Sequence, residues 1–296
     1  MTATFPQQEI FTHDGLEIAW LDWGGDGECL FLLHPNGFCA GVYAPLAEQL
    51  QSLFRVVAVD LRGHGASETV VDESRLGNDD MAADVLAVAD HLGIQDFNLL
   101  GVSLGGGVSI EIAASAPERV KALILIEAIA MPGDSFNQPK TEAGNPEPRG
   151  PHPLAVGARK RRVVWPDRQT VVESYGSRPP LNTLAAEALE AYAHWGFNDR
   201  ADGQIELACN PETEAVIFDS NRHGPIDSFN KLPLVKAPSS VLYGSESDLD
   251  PIWFEKQAAI LGVEAERIDG SHFFLFEDIP RATEIICSHL EKENNE

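Results

Sequence analysis

The chain has 296 residues, 44% of them hydrophobic, and 46 acidic against 21 basic side chains give it a formal charge of -25. That length and apolar content can bury one large core or two modest ones without disulfide staples, while the acidic surface repels polyphosphates and anionic membranes and so argues against nucleic-acid binding. No apolar run reaches membrane-spanning length, and residues 1–10 lack the basic-then-apolar pattern of a secretory leader, so a cytoplasmic protein is expected.

In chain order, Gln7 to Phe11 and Leu16 to Trp23 read as strands joined at His13-Asp14-Gly15, where Asp-Gly signals a hairpin. Cys29 to Leu33 is short and wholly apolar, as a central strand covered on both faces should be, and it runs into His34-Pro35-Asn36-Gly37-Phe38. Tyr43 to Leu53 follows as an amphipathic helix and Arg55 to Val59 as a strand. The turn that comes next holds His64 between two glycines, where a polar ring is usually structural. Asp79 to Leu92 reads as a helix with Asn78 or Asp79 as N-cap.

The stretch from Phe97 to Pro117 organises the rest. An apolar run, Phe97 to Leu100, meets Gly101-Val102-Ser103-Leu104-Gly105 and then a helix ending near Ser115. A strand turning at once into a helix lifts Ser103 clear of its own backbone, and the helix N-terminus below it faces any negative charge that forms there. At Gly101 and Gly105 a Cβ is expected to press on the neighbouring strand or helix. Val120 to Ile126 is another buried strand, ending at Glu127, and strand and helix alternating at this spacing predict a parallel sheet with right-handed crossovers.

Composition changes at Met131. Pro132 to Pro153 reads as an extended loop, Ala155 to Val164 and Leu184 to Trp195 as helices, and Asn210-Pro211-Glu212 as the start of another. No strand alternation appears before Ser239, so residues 132–232 are expected to form a helical cap inserted between core segments 1–131 and 233–296. Ser239 to Gly244 resumes the sheet. Pro251 to Leu261 is a helix with proline in its first turn, Val263 to Ile268 the last strand, and Phe276 to Lys292 a closing helix.

The elbow, the strand-helix alternation and the inserted segment together resemble the α/β-hydrolase family. The resemblance implies an α/β fold with a mostly parallel central sheet flanked by helices, and a nucleophile, acid, base order along the chain. Ser103 takes the nucleophile's place. Of nine histidines, His272 lies directly after the last strand, where the family carries its base, and the Ser-Asp pair past Gly244 resembles the family's acid at Asp248. Two rivals for the acid remain: Asp250, which Pro251 marks instead as a helix cap, and Glu127, at a strand end where some members place their acid. The oxyanion site implied by the resemblance combines the backbone amides of Leu104 and Asn36. Because Pro35 stands where the family commonly has glycine, the Gly37 and Phe38 amides compete with that of Asn36.

Serine needs a base to accept its proton, and histidine's pKa near ambient pH suits it to that role. The expected activity is hydrolysis of a small-molecule carboxylic ester through an acyl-enzyme on Ser103. Carbon-carbon bond hydrolysis on the same triad and slow-turnover ligand reception on the same fold are the alternatives, and a dehalogenase is disfavoured because relatives with that chemistry carry aspartate at the Ser103 position. Arg159, Lys160, Arg161 and Arg162 either recognise an acidic substrate group or pair with surrounding carboxylates, the commoner outcome. Trp165, Tyr192, Trp195 and Phe197 either line an acyl pocket or form cap core. Cys29, Cys39, Cys209 and Cys287 show no paired spacing and read as free thiols. Without a Gly-x-Gly-x-x-Gly, P-loop or His-Glu-x-x-His pattern, neither cofactor nor metal is expected, and a homodimer is left open.

Overall fold

The structure is a computed structural model and describes residues 6–70, 72–133, 152–220 and 224–293. The expected 132–153 loop lies mostly outside these residues.

Two antiparallel strands, β1 (Gln7–His13) and β2 (Leu16–Gly24), open the chain, turning at Asp14 and Gly15, both with positive φ. They are followed by β3 (Cys29–Leu33), α1 (Ala44–Leu50), β4 (Arg55–Val59), α2 (Asn78–His91), β5 (Phe97–Val102), α3 (Leu104–Ser115) and β6 (Val120–Ile126). After the insertion come β10 (Ser239–Gly244), α9 (Pro251–Leu261), β11 (Ala265–Ile268) and α10 (Ile279–Glu293), the numbers β7 to β9 and α4 to α8 belonging to the insertion. The eight core strands form one sheet in the order β1-β2-β4-β3-β5-β6-β10-β11, antiparallel through β4 and parallel from there to β11. A parallel sheet needs cover on both faces, and the sequence supplies it. Every residue of β3 and β5 is buried, and α2 buries Met81, Val85 and Val88, one stripe at helical spacing.

Two apolar layers result. On one face α1 and α10 bring Leu46, Leu50, Ala282 and Ile286 against Leu30, Leu100 and Ile124. On the other, α2, α3 and α9 bring Met81, Val108 and Phe254 against Phe31, Leu99 and Leu125. Each large apolar side chain withdrawn from water in these layers contributes about 1.5–3 kcal/mol. α3 is buried over nearly its whole circumference, as a helix seated at the centre of a sheet should be.

The inserted segment holds α4 (Pro153–Ala158), α5 (Arg168–Gly176), α6 (Ala186–Trp195), α7 (Pro211–Asp219) and α8 (Gly224–Lys231). It also holds β7 (Val164–Trp165), β8 (Phe197–Asp199) and β9 (Ile205–Leu207), joined as a small antiparallel sheet in the order β7-β9-β8, where only helices were expected. Strands of two or three residues carry too little alternation to be read from sequence. α7 starts as expected, with Asn210 Oδ1 accepting the Glu212 amide at 2.8 Å. Asn78 does not cap α2: its Nδ2 donates to Ser228 Oγ at 3.0 Å, tying the core to α8, and Gly77 takes the cap position. Among the described residues no helix is long and apolar enough to cross a membrane.

Candidate active site

Ser103 stands at the turn between β5 and α3 with φ 56° and ψ -114°, a conformation that non-glycine residues rarely adopt. Its amide donates to Ile126 O at 2.9 Å, and its carbonyl accepts the Ile129 amide at 3.0 Å, so the turn is bound on both sides to the segment around β6. A Cβ on Gly101 would fall inside the envelope of Gly105 O, and one on Gly105 would strike Leu33 O. The two glycines are therefore required by contact as well as by sequence pattern.

Parallel pairing places the ends of β5, β6 and β10 side by side, with Val102 opposite Ile126 and Ile126 opposite Leu242. Glu127 follows β6 directly, is fully buried and has φ 51°. Its carboxylate accepts from Gly244 N at 2.6 Å, Ser247 Oγ at 2.7 Å and His272 Nδ1 at 2.8 Å. A buried carboxylate is costly unless its lone pairs are met, and three donors meet this one. Because the carboxylate can only accept, Nδ1 of His272 carries the proton, and in the neutral ring Nε2 is left with a free lone pair.

The histidine partner differs from the expectation. Asp248 is exposed, and Glu127 makes the bond foreseen for it. The cause is the path of the chain after β10. Ser245 N donates to Ile268 O at 2.6 Å, Glu246 N to Gly270 O at 2.9 Å and Ser247 N to Gly244 O at 3.3 Å. This turn aims Ser247 at Glu127 and leaves Asp248 facing solvent. Asp250 caps α9, its Oδ1 accepting the Ile252 amide at 3.1 Å. Ser247 and Gly244 were not foreseen as partners of a carboxylate; the sequence signal was a small, polar run directly after a strand.

Of the competing amides in the 34–38 loop, Phe38 N is occupied, donating to Pro35 O at 3.2 Å across a turn in which Gly37 has φ 76°. Asn36 N and Gly37 N remain. Leu104 is the first residue of α3, where an amide has no partner within the helix. The two histidines beside this loop are structural in their contacts. His34 Nε2 accepts Leu61 N at 3.0 Å and Nδ1 lies 2.8 Å from Pro35 O, while the His64 ring sits 5.0 Å away with Nε2 3.1 Å from Asn36 Oδ1. Burial holds His34 well below the usual imidazole range and pushes His64 down to about 4.

In the insertion, Arg159 pairs with Glu212 and Asp219 at the surface, and Arg162 lies 4.6 Å over the Trp165 ring. Arg161 is different: it turns inward to Glu214, Tyr192 and Tyr175. Trp165, Tyr192 and Phe197 are buried in the apolar layer that also holds Phe38 and Phe276, with Trp195 packed against it. Cys29, Cys39 and Cys209 are buried free thiols, and burial pushes the Cys29 thiol up to about 12. Among the described residues no three His, Cys, Asp or Glu side chains are grouped to hold a metal ion.

Residues 30–172 match the family model for the alpha/beta hydrolase fold. The dihydrolipoyllysine-residue acetyltransferase component of the acetoin cleaving system of Pseudomonas putida is 36% identical over 124 residues, 42% of this chain and 33% of that protein. The pimeloyl-[acyl-carrier protein] methyl ester esterase of Nitrosomonas europaea is 39% identical over 102 residues, 34% of this chain and 38% of that protein. The chain thus spans a third to two fifths of the length of these curated relatives. A solved structure of E-2-(acetamidomethylene)succinate hydrolase superposes with TM-score 0.77 at 18% identity, covering 97% of this chain and 99% of that one. Sheet order, elbow and these likenesses agree: the chain has the α/β-hydrolase fold, a mostly parallel central sheet flanked by helices.

Proposed function

We propose that the chain is a serine hydrolase of small-molecule carboxylic esters, acting in the cytoplasm through an acyl-enzyme on Ser103 with His272 as base and Glu127, in place of Asp248, as acid. The observation that carries this is the 2.8 Å bond from His272 Nδ1 to a buried carboxylate one strand away from the elbow serine. With Nδ1 protonated, Nε2 takes the Ser103 proton as Oγ attacks the ester carbonyl. The oxyanion is received by the amides of Leu104 and Asn36, and the loss of one such donor costs about 2.7–4 kcal/mol of transition-state stabilisation. His272 then returns the proton to the departing alcohol, and water activated by the same ring releases the acid. Glu127 holds the tautomer and stabilises the imidazolium as it forms.

Ester cleavage is the least demanding reaction of this apparatus, and the likeness to a protein named as a methyl ester esterase supports it. Incubation with a fluorophosphonate should add one phosphonyl group at Ser103, and p-nitrophenyl esters should be turned over. In Ser103→Ala kcat should fall by about 10⁶. Ligand binding with no turnover by the intact chain would instead favour a receptor, and turnover of a ketone-flanked carbon-carbon bond with esters left untouched would favour the other hydrolase class.

A further inference from the structure

The inserted segment grips the loop assigned to the oxyanion at two successive residues, Asn36 and Gly37. The Gly37 carbonyl accepts Tyr192 Oη at 3.0 Å and lies 3.5 Å from Arg161 Nη1. Tyr192 Oη in turn accepts Arg161 Nη2 at 2.6 Å, so the guanidinium charge strengthens the bond that the hydroxyl makes to the loop. One residue earlier, Asn36 Nδ2 donates to Glu214 O at 3.0 Å, and its Oδ1 faces His64 Nε2 at 3.1 Å. Glu214 closes the circuit by pairing with Arg161. A Cβ on Gly37 would run into the Glu214 carboxylate and Arg161 Nη1, so the ion pair rests directly on the loop.

We propose that Arg161, Tyr192 and Glu214 are positioning residues that set the backbone of residues 36–37 for oxyanion binding; this rests on the serine-hydrolase reading above. The Arg161 charge is already matched by Glu214, so the cluster offers no surplus charge to an acidic substrate. Buried ion pairs do little for stability compared with apolar side chains of the same volume, and the best-attested reason to keep one is that it specifies a geometry. An oxyanion donor needs such specification, since it must lie about 2.7–3.1 Å from an atom that exists only in the transition state.

Two variants test it. Tyr192→Phe removes the hydroxyl and keeps the ring in its apolar layer, and the double variant Arg161→Gln, Glu214→Gln removes both charges without stranding either. Each should lower kcat for an oxoester roughly tenfold with KM moving by no more than about twofold. Turnover of the matching thionoester should fall less, because sulfur accepts hydrogen bonds poorly and leans less on the donors. Amide hydrogen exchange in a peptide covering residues 34–40 should quicken while peptides of α3 keep their protection. A raised KM at unchanged kcat, equal losses for oxoester and thionoester, or unaltered exchange in residues 34–40 would each overturn the proposal. Should the unaltered chain show no Ser103-dependent turnover, the hydrolase reading falls and takes the oxyanion role with it. The exchange measurement then reports separately whether the grip on residues 36–37 exists.

Discussion

The ends of β6 and β10 are neighbours in a parallel sheet, both are followed by carboxylates, and the two carboxylates have opposite fates. Glu127 begins its loop at once, with no residue between it and the strand, and is buried under three donors. Asp248 comes four residues after Gly244, on a turn already committed to the His272 loop by two backbone bonds, and it meets water. What separates them is reach and desolvation. The longer glutamate side chain spans from one strand end to the next, and its burial places the charge where an imidazolium would feel it most strongly.

The largest effect expected from this contrast is at Glu127. Glu127→Gln keeps the size but presents an amide to Nδ1, which permits the wrong tautomer, and kcat for p-nitrophenyl esters should fall about 10⁴-fold. A loss of less than about tenfold would transfer the acid's role elsewhere. His64 supplies the next largest effect, as a control for an imidazole buried with no carboxylate bonded to it. Its pKa is pushed from 6.5 to about 4, chiefly by burial and then by the Arg161 charge, so it favours folding above its ordinary pKa and withdraws that support as pH falls toward about 4. The amount at stake is on the order of 3 kcal/mol. His34 works in the same direction. Asp60, raised to about 6 by burial, works the other way, giving stability at low pH that is lost as pH rises through about 6. Unfolding free energies from urea titrations should therefore fall less steeply in His64→Gln between about pH 6.5 and 4, by up to about 1.4 kcal/mol per pH unit, because one proton leaves the linkage while Asp60 is common to both chains.

The sequence reaches as far as its constraints are local. Ser103 was legible because a strand, a five-residue turn and a helix must follow one another directly, and the contacts at Gly101 and Gly105 bear out the crowding that the pattern implied. The sheet was legible for a related reason: each short apolar run had to be covered on both faces. Choosing between Glu127 and Asp248 was another matter, since both lie in loops that follow a strand and the choice turned on Ser245 and Glu246 bonding across to Ile268 and Gly270. Nothing in the composition of that loop reports such long-range bonds. The run from Arg159 to Arg162 failed to separate for the same reason. Arg159 pairs at the surface while Arg161, two residues on, is drawn inward by partners more than thirty residues away in Tyr192 and Glu214. Pro35 left three amides in competition, and one turn bond to Phe38 N removed one of them.

The smaller effects probe the β10 side. Ser247→Ala removes one of three donors to Glu127 and leaves Gly244 N and His272 in place; a hydrogen bond to a charged group contributes about 1.5–3 kcal/mol, so kcat should drop by about 10- to 150-fold. Asp248→Asn, one residue along, should do almost nothing. The side chain lies in solvent, where a substitution typically changes free energies by no more than about 0.5 kcal/mol, so kcat/KM should stay within about twofold. The pair is informative because the two residues are adjacent. If the turn as a whole mattered through its backbone, both changes would cost alike, whereas a role through Glu127 predicts that only the hydroxyl counts. A drop at Asp248→Asn comparable to that at Glu127→Gln would mean that the β10 loop rearranges when substrate binds and that the two carboxylates exchange places.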